Sequence, residues 1–246
     1  DSLRRMIDEK PLFIQQKEQR INRIKCLLKG SGLTLEQKYK INFQLCNEYK
    51  KFVVDSAIHY VDQNLEIARK LNNRDLKNQS SLQLSLLYSM CGRYRDAELI
   101  LEKIKTSELS KDLLSVYYET YSRFWEYYSI TANSRYGKQR AVYQDSLLSL
   151  LDQTSFDKLS RAYYYGGRDS IKAKTVLQEL LDTEEVGTPH YAMITHAYAS
   201  FCWHQKKMDE RKKFLMMSAI ADIRNATRET ASLQALALIQ YEEKNL

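Results

Sequence analysis

Glycine and proline are scarce in this chain, occurring 7 times and twice among 246 residues, against average usages of roughly 7% and 5%. A β-rich fold draws on Gly, Pro, Asn-Gly and Asp-Gly turns, so their near absence excludes one and predicts short polar turns between helices. No run approaches the ~18 consecutive apolar residues of a membrane span. Charged residues make up 28% and the mean hydropathy is −0.54, the balance of a soluble chain. No signal peptide is visible in Asp1-Ser2-Leu3-Arg4-Arg5, although a processed or trimmed chain would open in the same way.

Catalytic and metal-binding signatures are missing too. There is no H-E-x-x-H, G-x-S-x-G, G-x-x-x-x-G-K-[ST] or G-x-G-x-x-G. The histidines are His59, His190, His196 and His204. The nearest two are six apart, which points their rings to different helix faces. Gly166-Gly167 reads as a helix–helix turn, and Glu184-Glu185 and Glu242-Glu243 as solvated helix ends. The expectation is therefore a protein without metal, cofactor or catalysis. Cys26, Cys46, Cys91 and Cys202 form no C-x-x-C and read as four buried, reduced thiols. The net charge of +7 is spread along the chain. Its densest cluster, Lys206, Lys207, Arg211, Lys212 and Lys213, is interrupted by Asp209 and Glu210, as on a solvated helix surface. Direct nucleic-acid binding is not expected.

What the sequence does have is a repeat. Aromatics recur at Tyr49, Tyr88, Tyr127, Tyr165, Trp203 and Tyr241, in steps of 38 or 39 residues. A small residue follows eight or nine positions later at Ala57, Ala97 and Ala173, each opening an apolar stripe of helical spacing. After Trp203 the small residue is replaced by Arg211, while Phe214 and Leu215 keep the stripe. After Tyr127 the match slips to Ala141, predicting longer helices or a longer turn there. The reading is a set of antiparallel helix pairs, each wedged by its aromatic and closed by its small residue. Such pairs must stack, since one cannot bury its own apolar face.

The unit Leu84-x-x-x-Tyr88-x-x-x-Gly92-x-Tyr94-x-x-Ala97-x-x-x-Leu101 resembles the tetratricopeptide repeat, with a longer period than that family's usual 34. The resemblance implies an all-α fold, a right-handed superhelical stack of antiparallel hairpins. Residues 1–34 are expected to supply capping helices, one over about 11–28. Residues 35–246 are expected to supply five and a half hairpins, with helices near 35–51 and 53–72, 76–91 and 94–105, 110–133 and 135–152, 156–166 and 169–182, 189–206 and 208–224, and a last helix over 227–244. That last helix reads either as a capping helix or as the first half of a sixth hairpin at which the chain was cut, the second favoured by Tyr241 at the repeat position.

Tyr117, Tyr118, Tyr121, Phe124, Trp125, Tyr127 and Tyr128 fall within 12 residues. They go nearly round the helix, more than one core face needs. The family's geometry turns the positions two and six before the repeat aromatic, and one after it, toward a concave groove. Carried onto this sequence, it selects Tyr121, Trp125 and Tyr128, joined on the same face by Tyr118. It also selects Tyr163, Phe201, His204, Asn47 and Phe43. Flat rings with polar tips suit sugar rings, peptide side chains and helix faces alike, and they equally suit packing between adjacent repeats.

A narrower resemblance lies in Asp1-Ser2-Leu3, Ile7-Asp8 and Ile14-x-x-Lys17-Glu18-x-Arg20-Ile21-x-x-Ile24-Lys25. This opening is similar to that of Bacteroides regulators of the starch-utilisation type. In these a periplasmic tetratricopeptide sensor precedes a membrane helix, a coiled coil and a DNA-binding winged helix. The resemblance implies a sensor for a carbohydrate fragment or related signal, periplasmic, and open to homodimerisation, since sensors coupled to DNA-binding parts are commonly dimeric. The residues themselves equally suit a peptide- or protein-binding adaptor, or a cytoplasmic peptide receptor.

Overall fold

Helix starts are written locally. Thr34 and Gln37 form a reciprocal capping box, with Thr34 N donating to Gln37 Oε1 at 2.8 Å and Gln37 N to Thr34 Oγ1 at 3.2 Å. Asn73 accepts from Leu76 N at 3.0 Å, Asp169 from Lys172 N at 3.0 Å, and Thr188 from Tyr191 N at 3.0 Å just before Pro189. The computed structural model describes residues 2–132, 137–149, 158–159, 161–162, 165, 169–228 and 231–244. Among these the helices are α1 (Ser2–Asp8), α2 (Lys10–Leu27), α3 (Leu35–Tyr49), α4 (Val54–Lys70), α5 (Arg74–Met90), α6 (Tyr94–Glu102), α7 (Lys111–Ala132), α8 (Gly137–Leu148), α9 (Ser170–Thr183), α10 (Pro189–His204), α11 (Met208–Arg224) and α12 (Ala231–Lys244), with a 3₁₀ turn at Thr106–Glu108. No strand occurs among the described residues. The helix anticipated over 156–166 and the Gly166-Gly167 turn fall mostly or wholly outside them.

The chain forms two compact units, residues 20–151 and residues 1–19 together with 152–246. In the first, α3 packs on α4, α4 on α5, α5 on α6 and α7, and α7 on α8. Ser85, fully buried, sits where α5 meets α6, and its hydroxyl donates to the carbonyl of Ala97 at 3.1 Å. Two small residues thus let the backbones approach. In the second unit, α9 packs on α10, α10 on α11, α11 on α12, and α1 on α11. Its core joins Leu177 and Leu180 to Ile194, Ala197, Tyr198 and Phe201.

Two expectations are corrected. The repeat aromatics are not the wedges inside every pair, although Tyr88 and Tyr165 pack against the cores. Tyr49 is buried, but Trp203 is 52% and Tyr241 70% exposed. The buried positions lie three residues earlier in the first four units, at Cys46, Ser85, Phe124 and Ala162. The recurring ring sits near the hairpin tip, where a cation covers it in four cases. Arg93 lies 3.9 Å from the Tyr88 centroid, Arg211 4.0 Å from Trp203, Lys25 5.4 Å from Tyr49 and Lys172 5.6 Å from Tyr165. Arg211 replaces the expected small residue because here it covers a ring. The second correction concerns cysteine: all four are free, yet only Cys46 and Cys202 are buried, Cys26 and Cys91 being exposed.

Candidate functional site

The aromatic run lies on α7, the longest helix described, at 22 residues. Its inner face belongs to the core, where Tyr117, Tyr121 and Phe124 meet Leu82, Ala97 and Leu101. Tyr121, 8% exposed, stacks on Tyr143 of α8 with centroids 4.3 Å apart and planes 2° apart. Tyr118 is half-buried beside the same ring, 6.4 Å from it, and meets Tyr117 edge-on at 5.5 Å. One turn on, Trp125 and Tyr128 are both half-buried, 5.9 Å apart and edge to face. Tyr128 lies parallel to Phe124 at 6.0 Å and takes the Tyr94 ring edge-on at 5.1 Å. Tyr94 is fixed in turn by donating its hydroxyl to the Tyr127 carbonyl at 3.1 Å.

The structure thus brings Tyr118, Tyr121, Trp125 and Tyr128 together, with Tyr121 serving as a packing residue and the other three keeping partly open surface. Asn47 is exposed on α3, its Oδ1 accepting from Lys50 Nζ at 3.4 Å, and Phe43 is half-buried. In the other unit, Phe201 is 7% exposed and lies edge-on to Tyr198 at 5.9 Å, while His204 is exposed at the end of α10. Tyr163 lies outside the described residues. The sequence reading missed Tyr94 and Tyr143, which complete the aromatic face from the flanking helices. Tyr94 was visible as part of the repeat motif. Tyr143 lies on the second helix of the hairpin whose register slips, so nothing tied it to Tyr121.

Burial pushes the phenols of Tyr117, Tyr121 and Tyr143 above their ordinary value. They therefore stay neutral near pH 7 and act as hydrogen-bonding tips on apolar rings. The nearest ion pair on the helix joins Arg123 and Glu126 at 3.6 Å, each partly exposed. Such a surface can bind and orient a ligand. Among the described residues there is no group of three His, Cys, Asp or Glu side chains that could hold a metal ion, and no helix long and apolar enough to cross a membrane.

A family model described as the SusR N-terminal TPR domain matches residues 7–246. The chain therefore belongs to that family, a non-catalytic helical-solenoid scaffold of tetratricopeptide repeats that bind ligands or proteins. No curated protein matches the sequence.

Proposed function

We propose that this SusR-type repeat domain is the ligand-sensing part of a membrane-bound transcriptional regulator, that it faces the periplasm, and that it recognises an oligosaccharide on the aromatic face of α7. Family membership supports the regulator assignment. The observation that carries the ligand class is the half-buried trio Tyr118, Trp125 and Tyr128, set on a floor of packed rings. Sugar rings offer C–H faces and hydroxyls, which aromatic faces and neutral phenols match together. A bound amphipathic helix would call instead for an open apolar groove.

The test uses the whole chain and two readouts. Trp125 and Trp203 are the two tryptophans, so in a Trp203→Phe background fluorescence reports on Trp125 alone. A panel of neutral oligosaccharides and short peptides is screened by thermal shift, where a ligand at 100 times its Kd stabilises by about 2.7 kcal/mol. An oligosaccharide should raise the melting temperature and change Trp125 emission, and Trp125→Ala should abolish the shift while leaving a cooperative transition. A response to peptides alone would move the reading to an adaptor. Loss of most of the thermal stability in Trp125→Ala would make Trp125 a packing residue and remove the site.

A further inference from the structure

The N-terminal half of α7 meets a ring of the next helix that the repeat pattern does not reach. Tyr143 of α8 lays one face on Tyr121, parallel at 4.3 Å, and stays half-buried. Tyr118 of α7 stands beside it, also half-buried, its ring 6.4 Å away and tilted by 43°. Tyr118 meets Tyr117 edge-on at 5.5 Å, and among the described residues no ring lies parallel to it. Two rings from different helices thus form a V. Tyr117 and Tyr121, each 8% exposed, close its floor.

Polar groups converge at the same place. The Tyr121 hydroxyl lies within hydrogen-bonding reach of those of Tyr117 and Tyr143, and Tyr118 is near enough to Tyr117 and Tyr143 to act on both electrostatically. Glu102, the last residue of α6, acts on Tyr121 in the same way and is exposed. A phenol donates one hydrogen and also accepts, whereas a carboxylate only accepts. Flat rings with both kinds of group around one point match a sugar, which offers a C–H face and hydroxyls that bond in both directions.

We propose that Tyr118 and Tyr143 seat one sugar ring of the ligand across the α7–α8 seam, and that Glu102 accepts hydrogen bonds from its hydroxyls. The seat presupposes that the α7 face binds an oligosaccharide, and it adds Tyr143 and Glu102 to the residues that hold one. It also selects the sugar at this end of the ligand. The Glu102 carboxylate favours a ring with free hydroxyls and repels one that carries a carboxylate of its own.

Neutral hexasaccharides of α-glucan, β-glucan, mannan and xylan type are the probes, titrated calorimetrically into the full chain. For a probe that binds, Tyr143→Phe keeps the ring and its stack and should weaken binding about 5-fold, the effect of one hydroxyl. Glu102→Ala should weaken it about 10-fold, the effect of a charged acceptor. Its melting temperature should stay at the wild-type value, since Glu102 is exposed, and this variant decides the matter should Tyr143→Phe fail to fold. An oligogalacturonate should bind Glu102→Ala more tightly than the wild type, a gain that loss of a packing residue would not give. Wild-type affinity in both variants overturns the seat and leaves the oligosaccharide reading standing. A wild-type chain that binds none of the saccharides overturns both.

Discussion

Lys17 Nζ donates to the backbone carbonyl of Asn225 at 3.1 Å, a link between residues 208 positions apart in the chain. Asn225 is the C-cap of α11, and Lys17 is 8% exposed on α2. The ammonium therefore meets the unpaired carbonyls and negative dipole end of that helix where water is largely excluded. Nearby, Met6 of α1, 4% exposed, is buried in the same unit, in which α1 packs on α11. Lys17→Met keeps the apolar stem and removes the donor. It should cost about 1–3 kcal/mol, the penalty for leaving a buried carbonyl unsatisfied, and shift the urea midpoint down accordingly. An unchanged midpoint would mean that the carbonyl is satisfied by other means and that the link is incidental.

The four thiols should divide into two classes. Burial pushes Cys46 up to about 11. Burial, followed by the nearby Glu210 carboxylate, does the same for Cys202, whose Sγ lies 3.9 Å from Glu210 Oε2. Cys26 and Cys91 are exposed. A thiol reagent at pH 8 should therefore label two sites quickly and the other two only on unfolding. The same shifts set a pH dependence. The folded values of Cys46 and Cys202 lie above the ordinary thiol value of 9.0, so their contribution is complete below about pH 9 and is lost as pH rises through about 11. Stability should be insensitive to these groups at neutral pH and fall above pH 9. Four equally fast thiols, or an alkaline limb unchanged in Cys46→Ala, would sink the assignment.

Much of this fold was legible because helix punctuation is local. Thr34 with Gln37, Asn73, and Thr188 before Pro189 mark three helix starts within a residue or two, and apolar stripes supply the lengths. The mistaken wedge shows where periodicity stops being informative. Residues i and i−3 lie on nearly the same helix face, so a ring recurring every 38 or 39 residues cannot say whether it or its neighbour one turn back enters the seam. Cys46, Ser85, Phe124 and Ala162 take that place, and they share no side-chain type that would have marked them. The site suffered the same ambiguity. Tyr118, Tyr121, Trp125 and Tyr128 share one spacing, yet Tyr121 is drawn into the core by Tyr143, a residue of the next helix. The closure of α1 on α11 was invisible, since nothing in local pattern reports a contact between distant helices.

Hairpin turns offer a test of backbone conformation with little side-chain confusion. The turn after α5 uses Gly92 at φ +76°, and the equivalent turn after α10 uses Lys206 at φ +58°. Both are left-handed, a region that costs a residue with a Cβ roughly 1–2 kcal/mol and glycine almost nothing. A Cβ at Gly92 would meet nothing within 4 Å, so Gly92→Ala changes conformational preference without a clash and should destabilise by about 1 kcal/mol. Lys206 is exposed, so Lys206→Gly removes the strain and gives back only the entropy of a freer unfolded chain. It should stabilise by about 0.5–1 kcal/mol, less than the strain relieved because glycine loses more freedom on folding. Chemical denaturation of the two variants side by side checks both signs. If both substitutions move stability in the same direction, side-chain contacts rather than φ govern these turns, and the cation that Arg93 places over Tyr88 beside the first becomes the next interaction to remove.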